Sequence, residues 1–256
     1  MMVKQLEKVD ETGLFGKLTQ SGHEQVVFCS DPGTGLKAII AIHNTILGPA
    51  LGGTRMWHYT NEEEALSDVL RLSRGMTFKA AISGVNLGGG KAVIIGDAKT
   101  IKSEALLRRF GKFVDSLNGK YITAEDVNMK TSDMEFIRME TRHVTGLPES
   151  MGGGGDPSPV TAYGVYMGMK AGAKKVFGSD SLAGKKIAVQ GVGQVGMHLI
   201  EHLIREDADV VVTDMFPEKV KDVVSRFNVK AVDMEEIYDI DMDIFAPCAL
   251  GGSVNS

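Results

Sequence analysis

The sequence predicts an α/β protein of two domains, the first with a mixed sheet and helices, the second with a parallel sheet wrapped by helices. Three observations predict this. The 256 residues exceed one typical domain and leave room for two, each able to bury its own core. From residue 187 onward, short apolar runs alternate with amphipathic stretches, the pattern of a parallel sheet covered on both faces. Between the halves lies Met151-Gly152-Gly153-Gly154-Gly155-Asp156-Pro157-Ser158-Pro159, where four glycines offer backbone freedom and two prolines stop regular structure. The boundary is placed there, giving domains of residues 1–150 and 151–256.

In the first domain, residues 37–43 and 92–95 read as strands and residues 60–76 as a helix. Thr60 with Glu63, or Asn61 with Glu64, supplies its capping box, and Ala65, Val69, Leu72 and Met76 share one face. Residues 103–117 form a second amphipathic helix. In the second domain the order is strand 187–190, helix 195–205, strand 210–213, helix 217–227, strand 229–232 and strand 243–246. Only four strands can be counted there, against six in the full doubly wound pattern. The 31 glycines cluster in what read as loops and show no repeat period.

Composition narrows the function. A formal net charge of −5 provides no broad basic field, which argues against nucleic acid or an anionic membrane as partner. Two cysteines, Cys29 and Cys248, are too few and too separated for a disulfide framework or a four-ligand zinc site, and read as reduced thiols. His43, His58 and His143 lack metal-site spacing, so no metal is expected. Residues 1–8 carry charge and no apolar core, and no run approaches the roughly 18 apolar residues of a membrane span. The expected location is the cytoplasm.

Two motifs carry chemistry. Gly191-Val192-Gly193-Gln194-Val195-Gly196 follows an apolar strand and opens a helix, and Asp214 ends the next strand eighteen positions after Gly196. That context predicts a dinucleotide whose pyrophosphate sits over the helix N-terminus, where unpaired N–H groups and the dipole favour anions. Asp214 would repel a 2′-phosphate and accept a hydrogen bond from a free 2′-hydroxyl, which favours NAD over NADP. The same glycines also suit a purely structural βαβ unit.

The second motif is Gly88-Gly89-Gly90-Lys91, twelve positions after Lys79 and upstream of Glu125-Asp126. Two lysines and a carboxylate beside glycines make a site for an anionic substrate that needs proton transfer. One lysine can hold a carboxylate while the other, desolvated or near a second cation, becomes a base near neutral pH. Read singly, each lysine is equally a solvated surface cation, and Glu125-Asp126 a turn or helix cap. The Walker phosphate-loop pattern argues against ATP hydrolysis, because Ala92 stands where its Ser or Thr belongs.

Gly48-Pro49-Ala50-Leu51-Gly52-Gly53-Thr54-Arg55-Met56, Arg74-Gly75-Met76-Thr77-Phe78-Lys79, Asn86-Leu87-Gly88-Gly89-Gly90-Lys91-Ala92, Tyr121-Ile122-Thr123-Ala124-Glu125-Asp126 and Phe245-Ala246-Pro247-Cys248-Ala249-Leu250 resemble the Glu/Leu/Phe/Val dehydrogenase family, its leucine branch most closely. The resemblance implies a Rossmann-type second domain and NAD-linked oxidative deamination of an L-amino acid bound between two domains. It gives Lys79 the substrate carboxylate, helped by the backbone at Gly52 and Gly53. Lys91 becomes the base and Asp126 the proton shuttle. Leu51 and Ala124 match the side-chain pocket, where an apolar pair would accept leucine, valine or isoleucine and leave a second carboxylate unpartnered. Gly191, Gly193, Gln194, Val195, Gly196 and Asp214, together with Thr161, Ala246, Pro247 and Cys248, are implied to face the cofactor. Homo-oligomers built through the first domain are implied as well.

Family members continue beyond Ser253-Val254-Asn255-Ser256, adding sheet strands, an asparagine at the nicotinamide and helices that complete the pocket. The expectation is therefore a C-terminally truncated chain with an incomplete nucleotide domain. A noncatalytic nucleotide-binding or assembly module is the competing function.

Overall fold

A computed structural model of the protein describes residues 13–249, Gly251 and Val254. The segment 1–8 read for targeting, and Ser253, Asn255 and Ser256 at the chain end, lie outside the described residues. The chain divides between Asp156 and Pro157 into two compact units. No helix among the described residues is long and apolar enough to cross a membrane.

The first unit runs α1 (Leu14–Ser21), β1 (Gln25–Asp31), β2 (Leu36–Asn44), β3 (Ala50–Trp57), α2 (Glu62–Ile82), β4 (Gly88–Ile95), α3 (Glu104–Ser116), β5 (Tyr121–Glu125) and α4 (Thr131–Arg138). Its sheet is ordered β1-β2-β4-β3-β5, antiparallel from β1 to β4 and parallel from β4 to β5. Side chains alternate between faces along each strand. One face packs Ile40, Ile42, Ala92 and Ile94 against Leu106, Phe110, Met134 and Ile137 of α3 and α4. The other packs Ile39, Ala41 and Val93 against Ala65, Leu66, Val69 and Leu70 of α2.

Several expectations change here. The helix read as 60–76 continues to Ile82, which places Lys79 in its last turn. Asn61 is its N-cap, accepting from the Glu64 N–H at 2.9 Å, while the Glu64 carboxylate reaches one residue further back, to the Thr60 N–H at 2.7 Å. Its buried stripe is Ala65, Leu66, Val69, Leu70 and Ser73, with Leu72 and Met76 half-buried. Gly52, Gly53 and Gly88 to Gly90 are not loop glycines, since they lie buried inside β3 and β4. A Cβ on Gly89 would land on the Thr77 side chain and backbone, so only glycine lets the end of α2 lie this close to the sheet.

The second unit runs α5 (Ser158–Phe177), β6 (Lys186–Gln190), α6 (Gln194–Arg205), β7 (Asp209–Thr213), α7 (Pro217–Phe227), β8 (Lys230–Ala231) and β9 (Ile244–Pro247). The sheet is wholly parallel and ordered β8-β7-β6-β9. The prolines of the boundary start a helix rather than stop structure: Pro157 is the N-cap of α5 and Pro159 lies in its first turn, where a missing N–H costs nothing. Gly164, Gly168 and Gly172 follow one another at intervals of four along α5, and a Cβ on any of them meets nothing within 4 Å.

Candidate active site

The register of the first sheet decides which side chains can meet. Lys91 lies between Gly89 and Val93 on the face covered by α2. Leu51 pairs with Gly89 and Ile122, and Gly53 with Ala124, so Leu51 and Ala124 share that face with Lys91. Between β3 and β4 the ladder is interrupted, with Gly52 and Gly53 paired only to β5. A Cβ on Gly53 would press on the Glu125 carbonyl and on Asp126, so this glycine lets the chain after β5 close over the strand. The Tyr121 hydroxyl, buried beneath Gly90, donates to the Gly52 carbonyl at 2.6 Å and fixes the strand from the opposite face.

This frame brings Lys91 and Asp126 together. The Lys91 Nζ stands 2.8 Å from Asp126 Oδ1, and the residue is only 5% exposed. Asp126 Oδ2 accepts from the Arg55 Nε at 2.8 Å. Arg55 also donates through Nη1 to Asp68 Oδ2 at 2.9 Å, the same oxygen that accepts from the Tyr59 hydroxyl at 2.8 Å. Arg71 closes the chain on Asp68 Oδ1 at 2.7 Å. Burial pushes the Lys91 pKa down, and although Asp126 opposes it the net direction is below the usual lysine value. Burial works the other way on Asp126, but Lys91 and Arg55 outweigh it and hold the carboxyl below its ordinary range. A buried lysine whose pKa is lowered, beside a carboxylate whose pKa is lowered too, is an arrangement that suits proton transfer.

Lys79 differs. It is exposed in the last turn of α2 and carries no ion pair among the described residues, a cation free to meet an anionic ligand. His43 is spoken for, with Nδ1 2.8 Å from the Thr77 hydroxyl and Nε2 3.1 Å from the Ser21 carbonyl. Among the described residues no cluster could hold a metal ion.

In the second unit, Gly191 takes φ +96°, and a Cβ there would collide with the backbone at Cys248 and Ala249. Gly196 lies against the Gly191 carbonyl, so the turn closes only with glycine at both places. Gly193 is the N-cap of α6 without a side-chain cap, Gln194 opens the helix, and a Cβ on Gly193 would face open space. Among the described residues no side chain caps this N-terminus, whose first-turn N–H groups point out of the helix. Asp214 accepts from the Val192 N–H at 2.8 Å and the Phe216 N–H at 2.9 Å, tying the end of β7 to the glycine turn. Ala246 and Pro247 pair with Val189 and Gln190, and the Cys248 N–H donates to the Gln190 carbonyl at 2.7 Å, so all three flank the turn. Thr161 is exposed in the first turn of α5, its hydroxyl donating to the Pro157 carbonyl. Cys29 and Cys248 are free thiols, pushed up to about 11 by burial.

A family model described as Glu/Leu/Phe/Val dehydrogenase, dimerisation domain, matches residues 23–143. A second, described as Glutamate/Leucine/Phenylalanine/Valine dehydrogenase, matches residues 152–215. The valine dehydrogenase of Streptomyces virginiae is 54% identical to this chain, with 92% of the chain and 67% of the relative aligned. The chain belongs to the Glu/Leu/Phe/Val dehydrogenase family. The leucine dehydrogenase of Geobacillus stearothermophilus is 60% identical over 242 residues, which cover 94% of this chain and 66% of the relative. Among solved structures, L-tryptophan dehydrogenase from Nostoc punctiforme matches with a TM-score of 0.67 at 48% identity, over 95% of this chain and 68% of that one. The chain thus spans about two thirds of the length of the family members it matches.

Within this family frame, the geometry joins Lys91 to Asp126 and places Leu51, Gly53 and Ala124 on the same sheet face. It also adds residues the motif reading passed over. Arg55 stands in a quoted motif without a role, and Asp68 and Tyr59 are in none. The signal was available for Arg55: a guanidinium in a strand flanked by buried Thr54 and Met56 needs a buried partner. Asp68 was hidden because nothing in one sequence links it to a strand thirteen residues earlier.

Proposed function

We propose that this chain carries the substrate and nucleotide sites of an NAD-linked dehydrogenase that oxidatively deaminates a branched-chain aliphatic L-amino acid to the 2-oxo acid and ammonia. The observation that carries the reading is the buried Lys91–Asp126 pair at 2.8 Å, on the sheet face that also presents Leu51 and Ala124. Lys79 takes the substrate carboxylate, assisted by backbone groups at Gly52 and Gly53 where the ladder opens. Leu51 and Ala124 bound the aliphatic side chain, and leave the distal carboxylate of glutamate without a partner. Lys91, unprotonated, takes a proton from the water that attacks the substrate imine, and Asp126 passes protons to the departing amine. NAD, when bound, supplies the acceptor for the hydride from the substrate Cα.

For NAD the fit rests on the uncapped N-terminus of α6 and the glycine cradle beneath it. Gly191, Gly193, Gln194, Val195 and Gly196 receive the pyrophosphate, Asp214 the ribose, and Thr161, Ala246, Pro247 and Cys248 border the cofactor. The dimerisation-domain match over residues 23–143 supports assembly into homo-oligomers through the first unit.

The test is NADH formation by the purified protein with leucine, valine, isoleucine or glutamate as substrate. Turnover on the three aliphatic amino acids, with little on glutamate, is expected. NAD binding without deamination of any of them would identify a noncatalytic nucleotide-binding module instead.

A further inference from the structure

Asp126 has two oxygens and two cations, and they are divided one to one: Oδ1 to Lys91, Oδ2 to Arg55. Arg55 is itself immobilised from its other end. Its Nη1 lies on Asp68 Oδ2, and Asp68 is held in turn by the Tyr59 hydroxyl and Arg71. The Arg55 side chain is 12% exposed and that of Asp68 is 15% exposed, so this is a nearly dry fork and not a surface pair. Around Lys91 and Asp126 the charged and titratable groups are then Arg55 from β3 and Asp68 from α2, with Tyr59 and Arg71 bonded to Asp68 and the Tyr121 hydroxyl on the opposite face of the sheet.

We infer that Arg55 is a positioning residue of this site: braced by Asp68, it fixes the Asp126 carboxylate with one oxygen toward Lys91 and keeps a permanent cation beside the lysine. Two consequences follow from elementary electrostatics. A guanidinium stays charged throughout the accessible pH range, so its repulsion of the Lys91 ammonium never switches off. Its fork also removes the freedom of Asp126 to swing both oxygens onto Lys91, which would clamp the ammonium and end its use as a base. Lysine in place of Arg55 preserves the charge but not the two divergent N–H directions. Charge and geometry can therefore be tested apart.

The placement of Arg55 is a property of the chain itself; only the kinetic arm below rests on the deamination reading. The experiment follows Lys91 by NMR in protein carrying 13C-lysine, with the signal assigned through Lys91→Arg. Parent, Arg55→Gln and Arg55→Lys are titrated without ligand, and kcat/KM for leucine is followed against pH for each. Arg55→Gln should raise the Lys91 midpoint by about one pH unit, equal to about a tenfold change in proton affinity. The acid limb of kcat/KM should move with it. Arg55→Lys should leave the midpoint near the parent's and lower kcat/KM at every pH, because charge is kept and orientation is lost.

A Lys91 midpoint unmoved in Arg55→Gln overturns the inference, whatever the activity. So does Arg55→Lys matching the parent in kcat/KM throughout. If Arg55→Gln does not fold, Arg55→Lys still decides through that second comparison. A shifted midpoint in a protein without deaminase activity upholds the inference and sinks the functional reading.

Discussion

At the scale of single residues, the two lysines behave as different chemical species because their surroundings differ. Lys91 is buried against Asp126, whereas Lys79 is exposed at the end of α2. On the proposed deamination, with Lys91 as base and Lys79 holding the carboxylate, Lys91→Ala is expected to cut kcat for leucine by about a hundredfold or more. Lys79→Ala should act chiefly by raising KM. Steady-state kinetics on both variants checks this, and a Lys91→Ala enzyme within a few-fold of the parent would remove the base assignment. Asp214, proposed to read the ribose of NAD, also holds the turn, because both its oxygens accept backbone N–H groups. Asp214→Ser should therefore relax the NAD-over-NADP preference and weaken both cofactors together as the glycine turn loses its tie. Dissociation constants for the two nucleotides test it; an unchanged ratio would mean another residue senses the 2′ position.

At the scale of elements, the sequence is readable where strands and helices alternate. The second unit is such a case: the helix read as 217–227 is α7 as observed, and strand 187–190 differs from β6 by one residue. The first unit hides β3 behind glycines and a proline, β5 behind an acidic pair, and β1 behind mixed polarity at a sheet edge. In these strands tertiary contact, not local preference, decides the conformation. α5 was concealed for the opposite reason, since three glycines and a proline depress its local helix signal. The same packing makes a prediction. Gly89→Ala forces a methyl group into Thr77 of α2, a backbone contact that cannot rotate away. The expected loss is about 2–3 kcal/mol of stability, as for overpacked cores. Chemical denaturation of the variant measures it; a value near zero would mean that α2 shifts at no cost.

At the scale of the molecule, each apolar cluster among the described residues belongs to one unit. Two clusters draw only on residues of the first unit and the third only on residues of the second. The ion-pair network of Lys91, Asp126, Arg55 and Asp68 lies wholly before the division, and the glycine turn with Asp214 wholly after it. A fragment of residues 1–156 should therefore fold cooperatively on its own. Thermal unfolding and dispersed NMR spectra check this, and a fragment lacking a cooperative transition would show that the first core needs the second half of the chain. Motif order across the chain revealed the family and named Lys91 and Asp126, which the fold brings together. The bracing of Asp126 could not be read that way, since it joins three distant segments through side chains that only the folded sheet aligns.

Helix α5 holds a reserve for engineering. Each interior glycine costs a helix about 1 kcal/mol relative to alanine, and Gly164, Gly168 and Gly172 have open space where a methyl group would go. Alanine at all three should raise the unfolding free energy of the second unit by about 2–3 kcal/mol, read as an increase in Tm. The same substitutions also report on assembly. Where a neighbouring surface presses against this face in the working protein, the stabilised variant would gain in melting temperature and lose in association, so thermostability and oligomer strength would part company at three methyl groups.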